Sequence, residues 1–154
     1  MVVQGKVAIA MDQELTKKWR DTGATSSFPG QADSTTTRCL AVSIPAKGWE
    51  LGWHLVVAYA PVSGPQSVKE RKKMYGQLHE LIQKSTPRCR LVVGGDFNAE
   101  IGARQDDEER EGEVVGTHTE GRRTDSGQEL VDFCMEEGLF DVGSMYKQRR
   151  RATW

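Results

Sequence analysis

Five consecutive residues, Gly94-Gly95-Asp96-Phe97-Asn98, place an acid and an amide two positions apart, directly behind the apolar run Leu91-Val92-Val93. The run reads as a buried strand, and the glycines as a tight turn at its end. Side chains at i and i+2 of an extended segment point to the same side. Asp96 and Asn98 are therefore expected to face one spot at the carboxyl end of a strand, where open α/β folds often place ligand sites. A carboxylate beside an amide suits metal-assisted attack on a phosphate: the acid orients a water, and the amide steadies charge on oxygen. The plainer account is an ordinary turn, because Gly, Asp and Asn tolerate positive φ.

Strands and helices around this string have to position it. Gly5 to Met11 reads as a strand, Asp12 to Arg20 as a short helical turn, and Thr22 to Thr37, rich in Ser, Thr, Gly and Asp, as a loop. Arg38 to Pro45 alternates, with Leu40, Val42 and Ile44 on one face and Cys39, Ala41 and Ser43 on the other, which is strand periodicity. Ala46 to Gly52 is expected to turn. Trp53 to Pro61 is expected to be a strand whose Leu55-Val56-Val57-Ala58 centre is buried on both faces. Gln66 to Gln83 carries Met74, Tyr75, Leu78, Leu81 and Ile82 at helical spacing, an amphipathic helix. Gly76 within it weakens the helix relative to Ala, and Thr86-Pro87 ends it. Glu100 to Arg123 is polar and reads as a loop. Ser126 and Glu129 form a capping-box pattern at the start of a helix with Leu130, Val131, Phe133 and Cys134 on its apolar face and Gly138 at its stop. Leu139 to Val142 and the closing Ala152-Thr153-Trp154 read as strands. Strands with two long helices between them make an α/β or α+β chain.

The composition is that of a globular chain. The 154 residues have the length of one domain and not two. Hydrophobic residues make up 37% and charged residues 28%, and mean hydropathy is -0.57, polar without the signature of disorder. Net charge is -1, so any contact with nucleic acid has to come from a local patch. No apolar run approaches a membrane span, and no signal-peptide pattern is present. Cys39, Cys89 and Cys134 are odd in number and widely spaced, without a metal or disulfide framework. They read as small buried residues in a reducing compartment.

Tyr59-Ala60-Pro61 behind a buried strand, a helix, then Gly95-Asp96-Phe97-Asn98 behind a second strand, then Thr124-Asp125-Ser126-Gly127 with Leu130 and Phe133, then Ala152-Thr153-Trp154 form a succession. It resembles the endonuclease/exonuclease/phosphatase superfamily. More narrowly it is similar to the apurinic-type endonuclease domain of non-LTR (LINE-like) retrotransposons and to the craniofacial development protein 2 group derived from them. The resemblance runs over nearly the whole chain. It implies a four-layered α/β sandwich, in which two mixed sheets face each other with helices outside. It also implies hydrolysis of phosphoesters with Mg²⁺ or Mn²⁺. By position, Asp96 would orient and help deprotonate the attacking water. Asn98 would bond the scissile phosphate or place the nucleophile, and Tyr59 would donate its hydroxyl to a phosphate oxygen. The implied partner is DNA, with fusion to a reverse transcriptase in a longer polypeptide and a nuclear or cytoplasmic, not secreted, location.

Two parts of the family pattern have no counterpart here: an opening asparagine strand with a metal-binding glutamate, and a closing Ser-Asp-His element. The metal ligands, a Glu and an Asp, are thus expected outside the chain, and none of His54, His79 and His118 stands at the family position. The expectation is a partial domain over residues 1–154, incomplete at both ends, with an unfinished metal and acid/base set and open sheet edges. A retroelement-type endonuclease is the ancestral reading. A non-catalytic remnant is the reading for the chain standing alone, and a phosphatase of small phosphoesters is the third.

Other features have a chemical and a plainer reading. Lys147-Gln148-Arg149-Arg150-Arg151 is basic, and Arg149, Arg150 and Arg151 are candidates for phosphate-backbone contact; a solvated loop competes. Arg122-Arg123 reads the same way. The acidic stretch from Asp106 to Glu111 is expected to be exposed. Trp19, Trp49 and Trp53 are expected to pack rather than to stack bases, Asp125 to cap its helix, and His54 and His79 to be structural or solvated.

Overall fold

The structure, a computed structural model, describes residues 7–10, 31–35, 38–44, 51–104 and 109–147, with side chains described from 38 onward except at 109 and 110. The fold is mixed α/β. Its strands are β1 (Val7–Ala10), β2 (Gln31–Thr35), β3 (Cys39–Ile44), β4 (Gly52–Tyr59), β5 (Cys89–Asp96) and β6 (Phe140–Asp141). The helices are α1 (Val68–Ile82), α2 (Glu109–Val114), α3 (Asp125–Glu137) and α4 (Val142–Met145). Among the described residues the strands form one sheet in the order β2-β3-β4-β5-β1-β6.

Alternation places one face of the central strands in the core. Ala41, Val56 and Val93 share one row across β3, β4 and β5, and Cys39, Ala58 and Gly95 share the next. All are buried, and Met74, Leu78, Leu81 and Ile82 of α1 lie in the same core. The opposite face carries Leu40, Val42, Leu55, Val57 and Val92, each only partly covered. The expectation that Leu55 to Ala58 is buried on both faces therefore holds for one face only. His54 belongs to the buried face and is fully enclosed. Its Nε2 lies 2.9 Å from the Leu81 carbonyl and its Nδ1 2.8 Å from Ser43 Oγ. A carbonyl only accepts, so the hydrogen belongs on Nε2 and Nδ1 accepts from the serine. The histidine thus ties β3, β4 and α1 together.

A parallel pair needs a crossover connection, and α1 provides it between β4 and β5. β1 is parallel to both β5 and β6, so β4, β5, β1 and β6 end at one edge of the sheet. β2 and β3 are antiparallel.

Several expectations need correction. Gln31–Thr35 is a strand, not loop: its polar residues pair with β3, and the partner supplies the regularity that the composition hides. The stretch from Glu100 to Arg123 contains α2, and Val114 at its end and Val115 and Gly116 beyond it are buried. The capping box at Ser126 and Glu129 does not form. Thr124 is the N-cap, accepting from Gly127 N–H at 3.1 Å, while Asp125 opens the helix and stays exposed. Gly138 ends α3 in the left-handed conformation, φ 62. The expected elements at Asp12 to Arg20, the turn residues 46–50 and the closing strand lie outside the described residues.

Candidate active site

Tyr59, Asp96 and Asn98 come together at the shared carboxyl edge. Tyr59 ends β4 and Asp96 ends β5, and the two are register partners. The following backbone keeps them there, because Ala60 N–H donates to the Asp96 carbonyl at 2.7 Å. Gly95 makes the approach feasible. It has φ 139, and a Cβ built on it would stand 1.8 Å from the Ala58 carbonyl oxygen. Any other residue would push β5 away from β4.

Asn98 turns the chain out of the strand in the left-handed region, φ 47, the one non-glycine with positive φ among the described residues. The extended i, i+2 spacing expected from Asp96 therefore does not hold, and a turn, not strand alternation, relates the two residues. Its N–H donates to Asp96 Oδ1 at 3.0 Å and its Nδ2 donates to the Ala60 carbonyl at 2.8 Å. The Asn98 carbonyl accepts from Ser63 Oγ at 2.6 Å and from Ser126 Oγ at 3.1 Å, and the two hydroxyls lie 2.8 Å apart. Three segments therefore meet: the loop after β4, the turn after β5 and the start of α3. Periodicity did not point to Ser63 or Ser126, since neither stands in an apolar pattern.

α3 is seated by the same loop. Thr124 N–H donates to the Glu100 carbonyl at 3.1 Å. A Cβ on Gly127 would lie 1.9 Å from that carbonyl oxygen, so the glycine lets helix and loop touch backbone to backbone. From the other side, Arg71 holds the loop after β4 by donating to the Gly64 carbonyl at 3.2 Å. Arg71 is itself buried and pairs with Glu129 at 2.7 and 3.0 Å. The hydrogen bond to Glu129 raises the Arg71 pKa, and the same bond to Arg71 holds the Glu129 carboxyl below its usual range. Glu129, expected to cap its own helix, instead anchors α3 to α1.

The remaining candidates separate. Arg149, Arg150 and Arg151 lie outside the described residues, as do Trp19 and Trp49. Arg123 is no phosphate ligand: its guanidinium bonds Glu111, Gln128 and the Ile101 carbonyl. Glu111 is accordingly buried rather than exposed, because the arginine neutralises it. Arg122 is exposed. Trp53 does not pack in the core; it is 40% exposed, with the Arg90 guanidinium 5.2 Å from its ring centroid. His79 bonds Glu137 on α3.

No group of three or more His, Cys, Asp or Glu side chains able to hold a metal occurs among the described residues. No helix among them is long and apolar enough to cross a membrane. Compared with family models, curated proteins and solved structures, the chain matches none.

Proposed function

We propose that the chain carries the water-activating part of a Mg²⁺-dependent phosphodiesterase site, of the DNA endonuclease type found in non-LTR retrotransposons. The observation that carries this reading is the pairing of Asp96 with Tyr59 in register at the ends of two parallel strands, with Asn98 bonded to Asp96 and to the Ala60 carbonyl. The partly covered apolar face opposite α1 also supports it, since a second sheet laid on that face would complete a four-layered sandwich.

The donor set suits a hard cation. The Asp96 carboxylate and the Asn98 side-chain carbonyl would offer oxygen donors to such an ion, and Mg²⁺ commonly takes one or two carboxylates, water and substrate phosphate. When bound, the cation would draw charge from a phosphate oxygen. Asp96 has one oxygen fixed by the Asn98 N–H, so its carboxylate plane is set before substrate arrives. The carboxylate then orients a water and takes its proton. Asn98 spends one amide hydrogen on the Ala60 carbonyl and retains the second to donate to a phosphate oxygen or a water. Tyr59 donates its hydroxyl to a phosphate oxygen as negative charge develops.

Supercoiled plasmid incubated with Mg²⁺ and the protein tests this. Nicking is expected, and Asp96→Ala is expected to lower its rate about a hundredfold or more. Equal nicking by both proteins would sink the reading.

A further inference from the structure

We propose that Ser63 and Ser126 are positioning residues for this site: their paired hydroxyls hold the Asn98 carbonyl and thereby aim the Asn98 amide at the reacting phosphate. The proposal rests on the phosphodiesterase reading and deepens it.

A left-handed asparagine needs surroundings that hold it there. Asp96 Oδ1 holds the N–H of Asn98, and Ala60 holds its side chain. Those two contacts leave the peptide on the carboxyl side to swing. Ser63 and Ser126 close that freedom, because both reach the same carbonyl oxygen and so occupy its two lone pairs. Each comes from a different element. Ser63 sits in the loop behind Tyr59, and Ser126 in the first turn of α3. The two oxygens lie 2.8 Å apart; with both hydrogens on the carbonyl none remains between them, so this contact is close packing and not a further hydrogen bond. Ser126 extends the chain to Thr124 Oγ1 at 3.2 Å, the side chain that caps α3. The turn after β5 is therefore referenced to both flanking elements, and a shift of either moves the amide. Small displacements of a group that contacts the reacting atoms have large rate effects, because the geometry of attack is narrow.

The burial of the two serines differs, and this makes the idea testable. Ser126 is 2% exposed, whereas Ser63 is exposed, so its truncation leaves no cavity. The experiment compares the full chain with Ser63→Ala, Ser126→Ala, the double variant and Ser63→Thr, which keeps a hydroxyl. It records the Asn98 side-chain amide and carbonyl resonances by NMR, and kcat and KM separately for plasmid nicking with Mg²⁺. In the double variant the Asn98 resonances are expected to move and kcat to fall roughly tenfold to a hundredfold at unchanged KM. Ser63→Thr is expected to restore both. A merely structural role would lower the melting temperature and leave kcat per folded molecule intact; that result, or unmoved Asn98 resonances in the folded double variant, overturns the proposal. Should the double variant fail to fold, Ser63→Ala is read by the same criteria. Should the unaltered chain not nick, the endonuclease reading falls by itself. The Asn98 resonances then decide the clamp, moved in support and unmoved against.

Discussion

Asn98 holds a backbone conformation that costs an ordinary L residue roughly 1 kcal/mol, and asparagine less than most. The hydrogen bonds around it offset that strain, so the residue type, the turn and the contacts agree. At the same scale, His79 is half exposed on α1 while its partner Glu137 is buried on α3, 2.5 Å away. The hydrogen bond to Glu137 raises the His79 pKa above 6.5, with the charges of Glu137, Glu80 and Glu136 adding to it. The folded state then holds the proton more tightly than the unfolded chain. This contribution is full below pH 6.5 and is lost as pH rises through the raised folded value. Denaturant midpoints measured from about pH 6 to about pH 8.5 are expected to fall with pH, and His79→Gln to flatten that fall. Parallel profiles for the two proteins would show that the pair contributes nothing. The Cys134 pKa is also raised, by a different cause: burial disfavours the thiolate and pushes the thiol up to about 12. It is expected to resist thiol-specific labelling near neutral pH until the protein unfolds.

Among the elements, α1 is the one whose pattern was most readable. Met74, Leu78, Leu81 and Ile82 are its buried stripe, and Tyr75 reaches the Phe133 ring with centroids 4.9 Å apart. Gly76 faces open space, with nothing within 4 Å of a Cβ built on it. Gly76→Ala is therefore expected to stabilise the protein by about 1 kcal/mol, read as a higher denaturant midpoint at unchanged slope. β2 shows the contrary case. Gln31 to Thr35 has no alternation worth reading, and its strand exists because β3 lies beside it. α2 was hidden for a related reason. Its acidic and basic residues look solvated until Glu111 is seen paired with Arg123.

The whole molecule depends on side chains that join distant segments. Arg71 and Glu129 are 58 positions apart and link α1 to α3, while Arg71 also steadies the loop behind Tyr59 through Gly64. Removing one partner of a buried pair leaves the other charged and uncompensated. Glu129 retains 30% exposure, which moderates the loss. Glu129→Leu is expected to cost about 2 kcal/mol, and the double change Arg71→Met with Glu129→Leu to cost less than either Arg71→Met or Glu129→Leu alone. Urea unfolding of the four proteins checks this; additive losses would mean that the two residues do not act as a pair.

Local sequence was enough to determine the three central strands, the two long helices, the stop at Gly138 and the placement of Asp96 and Asn98 at a strand end. Each of these follows from a period of 2 or 3.6, or from what glycine and asparagine permit over a few residues. Only the tertiary structure decided that Tyr59 stands in register with Asp96, that Glu129 turns to Arg71 rather than to its own N-terminus, and that Ser63 meets Ser126 from 63 positions away. Those contacts depend on where the sheet and helices bring separate segments of backbone, and side-chain periodicity carries no record of which distant segment will arrive.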